Sequence, residues 1–244
     1  MLLTGPTTVG KSDVAQALAV ADGYEMLPAD KFYFYDHPGL AIGTGLADSS
    51  STPGIERHLY GTLDVDSPPP SPSEYLRLVR ETVSAIHARG ERALIEGCSR
   101  SYSRALIESE LSPFQPVIGL EWKSVDGVIE RIRRRVETFF ELGLIEETES
   151  ALAAGLSGTY VMRKSVIYRA VLDHLSGKDS LETCQDRICD EIWGIAQTQS
   201  ATYHQIRGIH WIKHDPSKLE ATLDKIRAVV SRPASSSQRL LSLA

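Results

Sequence analysis

The sequence predicts an α/β protein: a parallel sheet flanked by helices, with a helical C-terminal portion from about residue 125. Three observations carry this. A short apolar strand, Met1-Leu2-Leu3, runs straight into the glycine-bounded loop Gly5-Pro6-Thr7-Thr8-Val9-Gly10-Lys11-Ser12 and then into a helix. An amphipathic stretch over 74–89 is followed by the apolar run Ala93-Leu94-Ile95-Glu96-Gly97, which reads as a buried parallel strand ending in a loop. Beyond residue 125, apolar residues recur mainly at helical spacing.

Taken in order, residues 13–21 read as a helix with Val14, Leu18 and Ala21 on one face, and 24–27 as a second strand. Residues 31–73 are rich in Gly, Ser, Pro and Asp and predict irregular chain. Pro68-Pro69-Pro70-Ser71-Pro72 excludes helix and interior strand, so it is a rigid connector or the start signal of the next element. The helix over 74–89 carries Leu76, Val79, Val83 and Ile86 as its stripe, and Gly90 ends it. Further strands are expected over 117–122 and 209–212. Helices are expected over 128–154 (broken near Gly143), 165–175, 181–203 and 218–230. Residues 1–230 are expected to form a single domain, and the Ser-rich stretch 231–244 a flexible tail.

The loop at residues 5–12 has the spacing of a phosphate-binding loop, which makes the expected sheet P-loop NTPase-like. Glycines let backbone N–H groups of Gly5, Thr8 and Gly10 turn inward around phosphate oxygens. Lys11 adds a point charge, the Ser12 hydroxyl can ligate Mg²⁺, and the helix after the loop aims its positive end at the same anion. Asp30 falls just past the second strand, where a carboxylate can take a proton from an attacking nucleophile; a turn or N-cap aspartate is the bland reading. Glu96 ends a strand at the carboxyl edge, where α/β proteins bind ligands. Ile42-Gly43-Thr44-Gly45 offers bare backbone and a hydroxyl, or simply a flexible turn. Arg131, Arg133, Arg134 and Arg135 cannot share one helix face, so some are solvated while one can clamp an anion.

The composition limits the function classes. The chain has 244 residues, 42% hydrophobic and 24% charged, with a net charge of −6, which argues against a large basic nucleic-acid surface. Cys98, Cys184 and Cys189 are odd in number and unpaired in spacing, the pattern of reduced thiols in a cytoplasmic protein rather than a zinc site. No secretory signal precedes the loop and no apolar stretch is long enough to span a bilayer. His58, His87, His174, His204 and His210 show no metal-ligand spacing. No aspartate comes after a long apolar run, which disfavours a nucleotide-hydrolysing motor.

Together these motifs resemble the isopentenyltransferases that prenylate the N6 amine of adenine: tRNA dimethylallyltransferases and the shorter adenylate isopentenyltransferases that make cytokinins. The phosphate loop, Ala29-Asp30 and Gly39-Leu40-Ala41-Ile42-Gly43-Thr44-Gly45 are similar to the family's segments, as is Arg57-His58-Leu59-Tyr60. Leu94-Ile95-Glu96-Gly97-Cys98-Ser99 resembles the adenylate type in particular, and Arg135-Val136 the diphosphate-clamping arginine. Tyr168-Arg169, the Gln197/Gln199 stretch and His210-Trp211-Ile212 are similar only loosely. Departures are Cys98 in place of a second glycine, Ile167 before Tyr168, and the aromatic run Phe32-Tyr33-Phe34-Tyr35.

The resemblance implies an adenylate dimethylallyltransferase. The donor is dimethylallyl diphosphate or its hydroxylated form, the acceptor AMP (or ADP or ATP), the cofactor Mg²⁺ held by Ser12. It implies Asp30, Thr7, Lys11 and Arg135 as catalytic residues. Gly5, Thr8, Gly10, Lys11, Ser12 and Arg135 would bind diphosphate, and Asp30, Thr44, Glu96 and Ser99 the acceptor. Only about thirty residues separate Ser99 from Arg131, leaving little room for the helical insertion of the tRNA enzymes. A tRNA acceptor is therefore not expected, and a monomer is. A small-molecule or nucleoside kinase would use the same loop for ATP and the same Asp30, and a tRNA dimethylallyltransferase or a regulatory nucleotide-binding module are further alternatives.

Overall fold

The computed structural model describes residues 1–35, 37–45, 52–109 and 115–231. Strands β1 (Leu2–Thr4), β2 (Tyr24–Pro28), β3 (Arg92–Glu96), β4 (Val117–Trp122) and β5 (His210–His214) pair in the order β2-β3-β1-β4-β5, all parallel. The helices are α1 (Lys11–Asp22), α2 (Pro72–Ala88), α3 (Arg100–Ile107), α4 (Val125–Glu141), α5 (Leu144–Ala153), α6 (Tyr160–Lys164), α7 (Val166–Leu175), α8 (Leu181–His204) and α9 (Leu219–Val230). This is the expected parallel sheet flanked by helices. The stretch 232–244, expected as a tail, lies outside the described residues.

The period of two along each strand divides the core between the sheet's faces. Leu2, Leu27, Ile95 and Val117 pack toward α2, α3, α4 and α8, while Leu3, Met26, Leu94 and Ile118 pack toward α1 and α9. Both faces are covered, so the strands read as continuous apolar runs instead of alternating ones. The chain leaves central β1, crosses through α1 to edge strand β2, and returns later to fill the β3 slot between them. Neighbouring connections therefore diverge at β1, and a crevice opens at its carboxyl end.

Local signals explain most boundaries. The proline-rich stretch proves to be a start signal: Ser71 caps α2 and Pro72 opens it. The Glu74 N–H donates to Ser71 Oγ (3.3 Å) and the Ser71 N–H donates to Glu74 Oε2 (2.8 Å), a reciprocal capping box. Gly143 takes φ 93° between α4 and α5, as the break in that helical stretch requires.

Three readings need correction. Helix α3 occupies a stretch where no element was expected; its eight residues are too short for periodicity to declare, although Tyr102 and Leu106 are spaced to face inward. The α2 stripe runs through Tyr75, Val79, Val83 and Ile86, with Leu76 only half-buried. Tyr75 is drawn in because it stacks on Tyr102 at 3.9 Å between ring centroids and donates its hydroxyl to the Pro28 carbonyl at 3.0 Å. Within 31–73, two short 3₁₀ turns form at Phe32–Phe34 and Pro38–Leu40. Residues 56–58 also dock along β2, where the Met26 N–H donates to the Glu56 carbonyl at 2.8 Å. His58 there meets Glu25 at 2.5 Å, beside Arg89 at 2.6 Å from the same carboxylate, an ion-pair cluster that ties this segment to α2.

Ser71→Ala removes one half of the capping box and is expected to lower the stability of the protein by about 1 kcal/mol in urea unfolding, with an unchanged m-value.

Candidate active site

The site grows from the carboxyl end of β1. Gly5 leaves the strand at φ 138°, and a Cβ there would lie 2.4 Å from the Leu120 carbonyl oxygen of β4, so only glycine lets the loop turn there. Thr8 holds φ 65°, a left-handed geometry uncommon for a threonine, and donates its hydroxyl to its neighbour's carbonyl at 2.6 Å. Gly10 at φ 95° hands the chain to α1. Lys11 is buried and folds over the loop, its Nζ donating to the Pro6 carbonyl at 2.8 Å.

Two strand ends bring the carboxylates in. A Cβ on Gly97 would sit 2.3 Å from the Ala29 carbonyl, so glycine permits the ends of β2 and β3 to cross closely. Asp30 emerges there. Its Oδ1 accepts the Phe32 N–H (3.0 Å), forming the local turn, and its Oδ2 accepts the Cys98 thiol (3.0 Å). Glu96 is almost fully buried and accepts the Ser12 hydroxyl at 3.4 Å. Burial pushes its carboxyl up to about 7, against the pull of Lys11 and with added repulsion from Asp30.

The opposite wall comes from the C-terminal helices. The Glu147 carboxylate accepts the backbone N–H groups of Ala41 (2.9 Å), Ile42 (2.9 Å) and Gly43 (3.1 Å) together with the Tyr168 hydroxyl (2.6 Å). This clamp presses Gly43 on the Tyr168 ring, where a Cβ would come within 2.5 Å, and sets Gly45 against Arg135, where a Cβ would lie 2.7 Å from the guanidinium. Arg135 lies 5.2 Å from the Phe139 ring centroid. Gln199 of α8 reaches back to the phosphate loop and accepts the Thr7 N–H at 2.7 Å.

These elements enclose a cavity of about 710 Å³. Thr7, Thr8, Gly10, Lys11, Ser12, Asp30, Thr44, Glu96 and Arg135 all line it, so nine of the sequence-derived site residues converge. Gly5 and Ser99 do not line it. Gly5 backs onto β4, and Ser99 precedes α3 with its N–H on the Ala29 carbonyl at 2.9 Å. Apolar lining comes from Phe139, Val166, Ile167, Ile192 and Ile195, while Arg131, Arg134 and Lys164 also face the cavity. Of the basic cluster, Arg131 pairs with Asp13 and Arg134 with Glu130, Arg133 faces solvent, and Arg135 turns in. Sequence reasoning gave no role to Glu147, Tyr168, Gln199 or the apolar wall. Their partners lie far off in the chain, and the only signals were a loose likeness at Tyr168 and Gln199 and the departures at Ile167 and Cys98.

A phosphate-type loop, a lysine, an arginine and two carboxylates thus surround one half-apolar cavity at the carboxyl edge of a P-loop-like sheet. Comparisons sharpen this. Residues 110–205 match the family model described as IPP transferase. The chain is 25% identical over 304 residues to tRNA dimethylallyltransferase of Corynebacterium urealyticum, covering 93% of this chain and 91% of that protein. It is 29% identical over 177 residues to adenylate isopentenyltransferase 8, chloroplastic, of Arabidopsis thaliana, covering 66% of this chain and 53% of that one. The fold is shared with the full-length tRNA isopentenylpyrophosphate transferase of Bacillus halodurans, with a TM-score of 0.79 at 20% identity over 94% of this chain and 95% of that one.

These likenesses support the IPP transferase family and do not single out the adenylate branch. They also overturn the expectation that tRNA is an unlikely partner, because matches that run nearly the whole chain are to proteins named for tRNA. That expectation leaned on the short spacing between Ser99 and Arg131 and on net charge; net charge averages over the surface, whereas Arg131, Arg134, Arg135 and Lys164 gather at one cavity. Among the described residues, no helix is long and apolar enough to cross a membrane.

The raised Glu96 carboxyl sets a pH dependence. The folded state holds this proton to higher pH than the unfolded state, so stability is whole below the ordinary carboxylate range and is lost as pH rises through about 7. Glu96→Gln removes the charge, so its stability relative to the native chain should improve by about 2 kcal/mol between pH 5 and pH 8 in urea unfolding without added metal.

Proposed function

We propose that this chain transfers a dimethylallyl group from dimethylallyl diphosphate to the N6 amine of an adenine carried by tRNA. The observation that carries the prenyl-transfer reading is the cavity's mixed character. The phosphate loop with Lys11, the Asp30 carboxylate and Arg135 share one cavity lining with the apolar side chains Phe139, Ile192 and Ile195. An allyl diphosphate needs both, an anion cradle for its diphosphate and apolar contacts for its hydrocarbon part. The IPP transferase match and the names of the relatives support the same reading.

The proposed chemistry is built from these residues. Backbone N–H groups of the loop, Lys11 and Arg135 bind the diphosphate and stabilise the charge that grows on it as the allyl C–O bond breaks. Ser12 and Glu96 offer hard oxygen donors 3.4 Å apart, a set that fits Mg²⁺ and that explains a buried carboxylate beside the loop. Bound there, the ion would add positive charge at the diphosphate. Asp30 accepts a hydrogen bond from the adenine amine and takes its proton as the nitrogen attacks the allyl carbon. The adenine amine is a poor nucleophile, so the fixed distance between loop and carboxylate supplies much of the acceleration. The apolar wall keeps water from capturing the allyl group as the free alcohol.

A free adenine nucleotide as acceptor is the second reading, favoured by one feature. Helix α3 ends at Ile107 and β4 begins at Val117, so this connection holds no room for a further helical unit. The alignment to the Corynebacterium protein, 304 residues long, exceeds this chain's 244, so that relative carries segments without a counterpart here.

Mass spectrometry of the protein incubated with Mg²⁺, dimethylallyl diphosphate, unmodified tRNA and AMP separates the readings. A prenylated adenosine in digested tRNA is expected; prenylated AMP alone would move the acceptor to the free nucleotide, and neither product would defeat prenyl transfer. Asp30→Ala is expected to lower kcat by about 10²-fold or more while leaving the affinity for Mg²⁺-pyrophosphate within about threefold. Full activity in that variant would remove Asp30 from the role of base.

A further inference from the structure

One buried side chain touches both halves of the site and has no role in the chemistry above. Gln199 lies in α8 with 8% of its surface exposed, and its amide is hydrogen-bonded at both ends. Its Oε1 accepts the Thr7 N–H of the phosphate loop at 2.7 Å, and its Nε2 donates to the Cys98 carbonyl at 3.0 Å. Cys98 in turn gives its thiol proton to Asp30 Oδ2 at 3.0 Å, and the other carboxylate oxygen is held by the Phe32 N–H. An unbroken run of hydrogen bonds thus joins Thr7, Gln199, Cys98 and Asp30, which belong to the loop after β1, helix α8, and the ends of β3 and β2.

We infer that Gln199 is a positioning residue that locks the phosphate loop and the Asp30 carboxylate into one frame and so sets the distance between the diphosphate and acceptor sites. The β1 and β2 ends are not adjacent in the sheet, since β3 lies between them. Backbone pairing ties the ends of β1 and β2 each to the end of β3 and not to one another. A group crossing over the carboxyl edge joins the loop directly to the segment that holds Asp30. A glutamine suits the task because it presents an acceptor and a donor on one rigid plane, and both are needed: an N–H on one side, a carbonyl on the other. The bond to Gln199 also takes the Thr7 N–H out of the set that cradles phosphate. The anion is left to Lys11, Arg135 and the remaining loop amides. Burial makes the bridge costly to break, because truncation leaves an unpaired N–H and an unpaired carbonyl at the site. Among the described residues Gln197, two positions earlier on the same helix, faces solvent and provides the control.

The inference rests on the prenyl-transfer reading for its kinetic arm and not for its structural arm. The test uses Gln199→Met, which keeps length and apolar shape, Gln199→Glu, which keeps the acceptor and loses the donor, and Gln197→Met. Residue-resolved amide exchange, Mg²⁺-pyrophosphate affinity and steady-state kinetics are measured on each. For Gln199→Met, exchange at Thr7 and at Phe32 should accelerate by about tenfold or more. Its pyrophosphate Kd and donor KM should stay within about threefold, and kcat should fall by about tenfold to a hundredfold. Gln199→Glu should keep protection at Thr7 and lose it at Phe32, which decides the matter if the methionine variant does not fold. Gln197→Met should change nothing. Unchanged exchange at Phe32, unchanged kcat, or a loss confined to pyrophosphate affinity would overturn the inference. If the native chain prenylates neither tRNA nor AMP, the functional reading fails, and the exchange data alone then confirm or overturn the frame.

Discussion

The site depends on the pairing of a strand three residues long. Leu2, Leu3 and Thr4 of β1 are fully buried and bonded to β3 on one side and β4 on the other. Such a short strand has no independent stability; it exists because both neighbours and both covering layers hold it. The loop that carries Lys11 and Ser12 hangs from its end. The loop must turn within one residue, against the carbonyl of β4, and Gly5 makes that turn possible. The same constraint recurs where β2 and β3 end, with Gly97 against Ala29. The two glycines mark where the backbone is packed too closely for any side chain, and the functional groups sit directly beyond them.

Beyond that edge, the two halves of the molecule contribute unlike chemistry. The sheet side supplies charge and hydrogen-bonding capacity through Lys11, Ser12, Asp30 and Glu96. The C-terminal helices supply an apolar wall and the arginines. The halves are joined by polar ties as well as by apolar packing, among them Glu147 to residues 41–43 and Gln199 to Thr7 and Cys98. Each tie satisfies several backbone groups at once, so sliding one half against the other would leave multiple donors and acceptors unpaired. Buried polar ties of this kind specify a spacing, which is the requirement of a transfer between two bound molecules.

Glu96 shows how the same arrangement sets electrostatics. A carboxyl so deeply buried is pushed toward its neutral form, and the nearest full positive charge, Lys11, offsets only part of that. A cation bound beside Ser12, as proposed above, would favour the ionised carboxylate. Stability unused by the fold is thereby available to ligand binding, a common feature of sites whose charges are not self-compensating.

The sequence by itself determined the sheet, most of its helices and the anion loop, because these are encoded by local rules: apolar period, glycine placement and capping. It also marked Asp30, Glu96 and Arg135, since each stands at a recognisable distance from a strand end or within a resemblance that is local in the chain. Helix α3 escaped because eight residues are too few to show a period. The ties made by Glu147 and Gln199 escaped because each reaches across about a hundred or more positions to backbone atoms, and backbone atoms leave no trace in residue identity. Only the tertiary structure decided that Gly5 and Ser99 stay outside the cavity wall, that apolar side chains share the cavity with the phosphate loop, and which arginine of the cluster turns inward. The last two outcomes arise from how helices α4, α7 and α8 pack over the sheet edge. That packing is a property of all the contacting surfaces together, and no single segment carries it.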